Sequence, residues 1–253
     1  MGKKIAIVNQ KGGVGKSTTA VNLGAGLAEA GKKVLLIDLD PQGNASSGLG
    51  VEKSELEYTS YDILIEAESV FSVIMETETD NLDLIPANIE LAGAEIELVS
   101  IISRESRLKK SLVEINEDYD FIIIDCPPSL GLLTLNALTA ADSVMVPIQC
   151  EYYAMEGLGQ LMNTIELVRK NLNPDLRIEG VLMTMYDART NLSEQVIEEV
   201  EEYFSDLMFN TIIPRNVRLS EAPSFGTSIL EYSSNSKGAE AYRKLAEEVV
   251  SSE

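Results

Sequence analysis

The sequence predicts an α/β fold in which a twisted, mainly parallel sheet carries helices on both faces. Three observations support this fold class. Several short apolar and β-branched runs are typical of strands that are buried on both faces of a sheet. Segments with helical periodicity lie between several of these runs. Two of the runs end in carboxylates, at the edge where parallel sheets place their ligands.

The order of the elements follows from the same patterns. Strands are predicted at residues 4–8, 33–37, 82–85, 121–124, 143–146 and 178–184. Helices are predicted from the apolar repeat at residues 20–28, which Gly31 ends, and at residues 153–172 and 192–204. No linker, repeat or low-complexity segment interrupts the alternation. Residues 1–253 are therefore expected to form a single domain, without an N-terminal helix-turn-helix domain.

The composition limits the chemistry. The chain has 41 acidic and 20 basic residues, a formal net charge of -21, and no histidine. The lack of histidine excludes His general bases, Ser-His and Cys-His nucleophiles and His metal ligands, and leaves Asp, Glu, Lys and a hard cation. Because the chain is acidic, any contact with DNA would need a local basic patch. Cys126 and Cys150 do not make a disulfide framework, so a cytoplasmic location is expected.

A glycine-rich segment, residues 9–22, joins the first strand to the first helix. The N-terminus of a helix favours an anion, because its first backbone N–H groups are unpaired. Gly15-Lys16-Ser17 fits the end of the phosphate loop GxxxxGK(S/T), in which the lysine neutralises phosphates and the hydroxyl binds magnesium. A loop that only turns the chain is the alternative. The order of strand, loop, lysine, hydroxyl and helix favours phosphate binding.

The loop departs from that pattern at its start. Gln10 stands where the first glycine is expected, and Lys11 follows it as a second lysine. Two ammonium groups side by side repel each other unless a polyanion such as a triphosphate lies between them. The second lysine therefore needs an explanation that a single phosphate site does not provide.

Carboxylates follow two of the predicted strands. Asp125 comes after four apolar residues and is predicted to be the Walker B acid, which holds magnesium through its water shell. Asp38 and Asp40 are two residues apart, so they would share a face of an extended strand. We expect Asp38 to support the magnesium shell and Asp40 to orient the attacking water. The alternative for Asp40 is that it only caps a turn before Pro41.

Several motifs together resemble one family of ATPases. They are KGGVGKST at 11–18, DLDPQGN at 38–44, IDCPP at 124–128, CEYY at 150–153, PRNVR at 214–218 and SEAPS at 220–224. The first three are similar to the deviant Walker motifs of the ParA/MinD ATPases. The last three resemble the chromosomal ParA proteins in particular. The resemblance extends along nearly the whole chain.

The resemblance implies a function for the second lysine. In ParA-like ATPases the residue that corresponds to Lys11 crosses the interface of an ATP-bound homodimer and contacts the partner's phosphates, much as an arginine finger does. Lys16 would act on the phosphates of its own subunit, and Asp40 would activate water. Ser17 would bind Mg²⁺, together with Asp38 and Asp125. The expected ATP-binding residues are Lys11, Gly12, Gly13, Val14, Gly15, Lys16, Ser17 and Thr18 on the phosphates, with Pro214 and Asn216 on the adenine.

The same resemblance implies DNA binding that does not depend on sequence. Arg189 and Arg218 match positions with this role in relatives, and Arg215 is a neighbouring candidate. Dimerisation would double such a basic patch. Residues 104–110 contain another local group of basic side chains, for which a solvated helix face is the simpler explanation.

The resemblance further implies a ParB-type partner that binds centromere-like DNA and accelerates slow hydrolysis during the partitioning of chromosome origins. The protein would then be associated with the nucleoid. Two alternatives remain open. One is a nucleotide-gated regulator of the replication initiator, and the other is a ParA-like ATPase that positions a different cargo.

Two other branches of related proteins fit less well. A MinD-like protein would end in a basic membrane-binding helix, whereas Glu247 and Glu248 make this end acidic. The apolar stripe at residues 239–249 is expected to dock on the protein's own core, with no membrane partner. An iron–sulfur protein would use two cysteines per subunit, but Cys126 and Cys150 lie where buried inert thiols are ordinary.

Overall fold

A seven-stranded sheet lies at the centre of the computed structural model, which describes residues 2–152 and 154–252. Its strands are β1 (Lys3–Ile7), β2 (Val34–Asp38), β3 (Met75–Glu76), β4 (Leu82–Ile85), β5 (Phe121–Asp125), β6 (Ser143–Gln149) and β7 (Arg177–Thr184). Their order across the sheet is β3-β4-β2-β5-β1-β6-β7. All neighbouring pairs are parallel except β3 and β4, which are antiparallel. The predicted fold class and all six predicted strands are confirmed.

Helices fill the connections between the strands. They are α1 (Lys16–Glu29), α2 (Asn44–Gly48), α3 (Ser60–Leu64), α4 (Val70–Val73), α5 (Leu91–Glu97), α6 (Arg107–Ser111), α7 (Leu132–Ala140), α8 (Leu158–Asn171), α9 (Asn191–Phe204), α10 (Val217–Glu221), α11 (Ile229–Tyr232) and α12 (Lys237–Ser251). The helix predicted at residues 153–172 begins only at Leu158, because Gly157 precedes it with a left-handed φ of 81°. Tyr153, where that prediction began, lies outside the described residues.

The sheet is buried on both faces, as the continuous apolar strands predicted. Ile5 and Ile7 pack on one face with the apolar sides of α1 and α12, whereas Ala6 and Val8 pack on the other with α5, α7 and α8. Alternate residues of a strand point to opposite faces, so both sets of side chains need a helical cover. This arrangement confirms helices on both faces of the sheet.

The strand order brings the two predicted carboxylate ends together. β5 pairs with β2 on one side and with β1 on the other, and Asp38 lies opposite Asp125 in the register. Because all three strands are parallel, their carboxyl ends open at the same edge. The loop after β1 therefore stands directly beside Asp38 and Asp125.

The C-terminal helix α12 docks on the core. Its apolar stripe, which includes Tyr242, Leu245 and Val249, is buried against α1. The two helices approach closely at Gly26, where an added Cβ would lie 3.2 Å from Ala246 Cβ. The predicted docking of this stripe is confirmed. Within residues 2–152 and 154–252, no helix combines the length and the apolar character that a bilayer crossing requires.

Candidate nucleotide-binding site

The loop between β1 and α1 has the backbone shape of an anion cradle. Gly13 and Gly15 adopt left-handed φ values of 76° and 89°, which residues with a Cβ atom rarely adopt. Gly15 is also the N-cap residue of α1, and no side chain caps this helix end. The first N–H groups of α1 are thus free for a ligand, and the helix dipole favours a negative charge there.

A cavity of about 600 Å³ lies over this loop. One wall is formed by Gly12, Gly13 and residues 15–18, at the start of α1. The opposite wall includes Pro214, Asn216, Leu219 and Pro223. Among the predicted nucleotide-binding residues, Lys11 and Val14 do not line the cavity. The remaining eight are brought together around it.

Lys16 is the only lysine among the described residues that line this cavity. Its side chain is nearly buried, and its Nζ donates a hydrogen bond to Lys11 O at 3.2 Å. Burial lowers the pKa of Lys16, and the nearby charge of Asp125 opposes that shift. The ammonium group is therefore held at the bottom of the cavity, where a phosphate chain would stabilise its charged form.

Asp125 is a buried carboxylate without a partner. It has no exposed surface, and neither of its carboxylate oxygens has a donor in hydrogen-bonding geometry among the described residues. Burial raises the pKa of Asp125 well above its usual range, and the charge of Asp38 adds to this shift. The nearby hydroxyl of Ser17 and ammonium of Lys16 oppose it. A buried acid of this kind is costly unless a cation or an ordered water serves it.

Asp38 is equally buried but is already hydrogen-bonded. Its Oδ2 accepts from Ser46 Oγ at 2.7 Å and from Ser46 N at 2.9 Å, and its Oδ1 accepts from Asp40 N at 3.0 Å. Burial raises the pKa of Asp38 to about 6, and the bonds from Ser46 limit the shift. Asp38 anchors the start of α2 and does not line the cavity. Its predicted contribution to a magnesium shell would have to act through Asp125, which lies opposite it.

Asp40 caps a turn, as one of the two alternatives predicted, and it also lines the cavity. Its Oδ1 accepts a hydrogen bond from Gln42 N at 2.9 Å and so caps the turn after Pro41. The residue also lines the cavity, opposite the phosphate loop. Its other carboxylate oxygen, Oδ2, accepts no hydrogen bond from the described residues. One oxygen thus fixes the side chain while the other remains available to a ligand or a water.

Lys11 stands apart from its neighbour Lys16. The backbone N of Lys11 donates to Asn9 Oδ1 at 2.9 Å, which fixes the start of the loop. Its Nζ has no hydrogen-bond or ion-pair partner among residues 2–152 and 154–252, and its side chain does not line the cavity. The side chain of Lys11 is therefore unpaired among the described residues and lies outside the cavity lining.

Of the three predicted DNA-binding arginines, only Arg215 lines the cavity, and two of the three are ion-paired. Arg189 binds the carboxylate of Asp187 through Nε at 2.8 Å and Nη2 at 2.6 Å. Arg215 pairs with Glu151. Arg218 Nη1 donates to Ser233 Oγ at 2.7 Å. The structure thus brings the arginines to neighbouring segments, with part of their charge neutralised.

The second basic group, at residues 104–110, is largely structural. Arg107 donates to the backbone oxygens of Leu64 and Ile65 at 2.7 and 3.1 Å, and Arg104 donates to Val99 O at 2.6 Å. These bonds hold the end of α3 and the segment after α5. The simpler explanation, in which the group has no nucleic-acid role, fits these contacts.

Sequence reasoning missed two residues that support the loop. Thr184 Oγ1 lies 2.9 Å from Val14 O and so ties the loop to the end of β7. Asn22 donates to Thr18 O at 2.7 Å and accepts from Ile229 N at 2.7 Å, which joins α1 to α11. The available signal was a polar residue at the carboxyl end of a buried strand for Thr184, and one on an otherwise apolar helix for Asn22.

The two cysteines are buried, as predicted. Burial raises the pKa of Cys150 to about 12 and that of Cys126 well above its usual value. Such thiols are poor nucleophiles and poor metal ligands. Their burial favours the structural role over an iron–sulfur site.

The glycine-rich loop, its buried lysine and the carboxylate beneath it define a P-loop nucleotide-binding protein. A family described as "AAA domain" matches residues 2–178. The chain is 66% identical over 250 residues to the sporulation initiation inhibitor protein Soj of Bacillus subtilis (strain 168), with 99% of each chain covered. It is 55% identical over 250 residues to the chromosome-partitioning ATPase Soj of Treponema pallidum (strain Nichols), which covers 99% of this chain and 98% of the relative.

A solved structure agrees with the fold. Cobyrinic acid a,c-diamide synthase from Mycobacterium smegmatis, with bound ATP analog and magnesium, superposes with a TM-score of 0.86 at 42% identity. The match covers 98% of this chain and 93% of that one. The chain belongs to the ParA/MinD ATPases, and its predicted resemblance to the chromosomal ParA proteins is confirmed.

Proposed function

We propose that this partitioning ATPase binds ATP and Mg²⁺, closes into a homodimer around them, and in that form binds DNA without sequence preference. A ParB-type partner would accelerate its slow hydrolysis and so return it to the monomer. Relatives that are named as chromosome-partitioning proteins support this proposal.

The observation that carries the proposal is the separation of the two lysines of the loop. Lys16 lines the cavity and is buried, whereas Lys11 lies outside it without a partner among the described residues. Two ammonium groups on one loop are best stabilised when each faces a separate polyanion. A second nucleotide, bound by a second copy of the chain, would provide the charge that Lys11 lacks.

The bottom of the cavity fits a magnesium-bound triphosphate. The backbone N–H groups of residues 12–18 would bind the phosphate oxygens, and Lys16 would neutralise them. Ser17 and Asp125 would hold Mg²⁺, which supplies positive charge to the β- and γ-phosphates. The described residues contain no group of three or more Asp, Glu, Cys or His side chains that could hold a metal alone. Mg²⁺ suits such a site, because it keeps several waters and takes phosphate oxygens as ligands.

Asp40 would orient the attacking water. Its Oδ1 is fixed by Gln42 N at 2.9 Å, so its Oδ2 has a defined position at the cavity wall. A carboxylate that is held in this way can accept a proton from a water in line with the γ-phosphate. Lys11 of a second copy would stabilise the charge of the transition state, so both residues are needed only after closure.

We expect Asp40→Ala to bind ATP and to remain dimeric, because the substitution removes the water-positioning oxygen and leaves the phosphate loop intact. Hydrolysis should fall roughly 100-fold or more, within the usual contribution of a general base. Single-turnover hydrolysis and analytical sizing with ATP measure the two effects. Asp40→Asn, which keeps the acceptor for Gln42 N, controls for loss of the turn. Turnover at the wild-type rate by either variant would refute the role.

Sizing of the purified wild-type protein tests the proposal as a whole. With ADP it should elute as a monomer, and with ATP as a dimer. Random-sequence DNA should co-elute with the protein only in the presence of ATP. A single size with both nucleotides, together with DNA binding that does not depend on ATP, would contradict the proposed cycle.

The DNA-binding surface would form from the arginines beside the cavity. Tyr186 pairs with Pro214 in a parallel bridge, and Arg215 N donates to Tyr186 O at 2.8 Å. The segments that carry Arg189 and Arg215 are thus joined to each other and to the nucleotide wall. Each dimer would present two such groups, and the resulting local positive charge would offset the acidity of the chain.

Asp187 competes with DNA for Arg189 in this arrangement. We expect Asp187→Asn to strengthen binding of random-sequence DNA by the ATP dimer severalfold, because an exposed ion pair is weak and its loss frees Arg189 for a phosphate. The plot of log affinity against log salt should steepen by about 1, as one more phosphate contact forms. Asparagine keeps the oxygen that accepts from Arg189 N, so the turn is preserved.

Glu198→Gln is the matched control. It removes an exposed acid from the neighbouring helix α9 that has no arginine partner among the described residues. Equal gains in DNA affinity from both variants would show a general charge effect and no release of Arg189. Arg189→Glu and Arg218→Glu should abolish DNA retention while the ATP-dependent dimer persists.

A regulatory role is the second candidate. The name of the Bacillus relative, an inhibitor of sporulation initiation, favours it. A regulator that acts as a monomer would bind the replication initiator equally well as Lys11→Ala and as Asp40→Ala. A partitioning ATPase would require the dimeric form on DNA.

A further inference from the structure

The hydroxyl of Thr227 is a buried polar group for which the protein supplies no partner. Within residues 2–152 and 154–252, six buried side-chain oxygens lack a hydrogen bond. Two belong to Asp125, and one is Thr227 Oγ1, on a residue that lines the cavity. Ser143, which also contributes one, lies at the amino end of β6, on the far edge of the sheet. A buried unpaired hydroxyl is costly, so its position on a ligand cavity needs a reason.

The backbone around Thr227 is held firmly. Gly226 has a left-handed φ of 66°, and a Cβ added there would lie 2.5 Å from Gly50 Cα. Ser228, which follows Thr227, caps α11 through a hydrogen bond from Glu231 N at 3.3 Å. Ile229 N donates to Asn22, which in turn bonds to the first turn of α1. The backbone of Thr227 is therefore held in place between Gly50 and the N-terminus of α11, which Asn22 joins to the first turn of α1.

The wall on which Thr227 lies suits a nucleoside better than a phosphate. The cavity that Thr227 lines also has the apolar residues Pro214, Leu219 and Pro223 in its lining, and Thr227 N donates to Ala222 O, next to Pro223. Asn216 Oδ1 accepts from Arg218 N at 2.9 Å as the N-cap of α10, which holds the carboxamide in place and leaves its Nδ2 donor for a ligand. Thr227 adds to the same cavity a hydroxyl that can both donate and accept.

We infer that Thr227 Oγ1 makes a direct hydrogen bond to the nucleoside part of the bound nucleotide, at a ribose hydroxyl or a base nitrogen. This inference rests on the proposed nucleotide binding and adds a specific contact to it. The ligand would supply the partner that the empty cavity does not. Because ADP and ATP share the nucleoside, Thr227 would contribute equally to the binding of both.

Thr227→Val tests the inference by removing the hydroxyl while keeping the shape of the side chain. In the absence of nucleotide the variant should unfold at the same temperature as the wild type or a higher one, since an unpaired buried hydroxyl is lost. Its affinity for ADP should fall about fivefold to tenfold, the size of one hydrogen bond. A variant that is at least as stable as the wild type but binds ADP more weakly would not be expected if the hydroxyl had only a structural role. Thr227→Ser should retain the affinity for ADP.

Analogues identify the atom that is bound. Calorimetry compares ADP with 2′-deoxy-ADP, 3′-deoxy-ADP, 1-deaza-ADP, 3-deaza-ADP and 7-deaza-ADP. One analogue should bind the wild type more weakly than ADP does, but should bind Thr227→Val as tightly as ADP does. If each analogue lowers the affinity by the same factor in the wild type and in Thr227→Val, the hydroxyl does not contact the nucleoside and the inference is wrong. Unchanged affinity of Thr227→Val for ADP would also overturn it.

The controls separate this inference from the proposed function. Ser143→Ala removes a similar unpaired hydroxyl far from the cavity, and its affinity for ADP should equal that of the wild type. Failure of the wild type itself to bind ADP would overturn the proposed function. Tight binding of ADP by the wild type and by Thr227→Val alike would overturn only the role of Thr227.

Discussion

Replacement of Lys16 by alanine is expected to weaken the binding of both ADP and ATP roughly 100-fold, or about 3 kcal/mol. Lys16 is the only lysine that lines the cavity within the described residues, and burial lowers its pKa in the absence of an anion. Phosphates would restore the charge that burial disfavours, so the ammonium group contributes more to the complex than to the free protein. Calorimetry with ADP measures the loss directly.

Two variants control this experiment. Lys16→Met keeps most of the side-chain volume and removes the charge, so it should lose nearly as much affinity as Lys16→Ala. Lys11→Ala removes a lysine from the same loop but outside the cavity, and its affinity for ADP should match that of the wild type. Equal losses from Lys11→Ala and Lys16→Ala would contradict the assignment of Lys16 as the cation of its own site.

The substitution Lys11→Ala is expected to produce the second large effect, a loss of catalysis. The variant should bind ADP and ATP normally but remain monomeric with ATP, and its hydrolysis should fall about 1000-fold, the scale of a missing arginine finger. The physical reason is that Lys11 Nζ has no partner in its own chain within the described residues, so its charge acts only when a second nucleotide faces it. Sizing with ATP and single-turnover hydrolysis measure the two effects.

Lys109→Ala serves as the matched control, because it removes an exposed lysine of α6 that does not line the cavity. It should dimerise and hydrolyse ATP like the wild type. A monomeric Lys11→Ala that hydrolyses ATP at the normal rate would show that one chain holds the complete active site. The proposed closure of the dimer would then have no catalytic purpose.

Local patterns in the sequence were sufficient for most of the fold. Each of the six predicted strands is mainly apolar, and such runs are buried where the chain pairs them, although Asp83 and Glu179 interrupt two of them. The strand β3 was missed because two residues, Met75 and Glu76, give no periodic signal. The start of α8 was predicted too early because the apolar pattern continues through a segment that Gly157 turns.

The candidate site was also largely visible in the sequence, since its parts are short motifs. Residues 11–18 lie in one loop, and Asp38, Asp40 and Asp125 end strands that a parallel sheet brings to one edge. The spacing of these motifs predicted which residues meet. The spacing did not predict that Asp38 accepts hydrogen bonds from Ser46, whereas Asp125, which is equally buried, has no donor among the described residues.

The sequence alone thus determined the strands, the phosphate loop and the edge at which the carboxylates gather, because burial patterns and turn residues act over a few neighbours. Only the tertiary structure decided which polar groups are satisfied and which stay free. Ser46 donates two hydrogen bonds to Asp38, and Glu151 pairs with Arg215. The hydroxyl of Thr227 has no hydrogen-bond partner among the described residues. These contacts depend on how separate elements pack together, over 8 residues for Ser46 and Asp38 and 64 for Glu151 and Arg215, so no periodic pattern in the sequence predicts them.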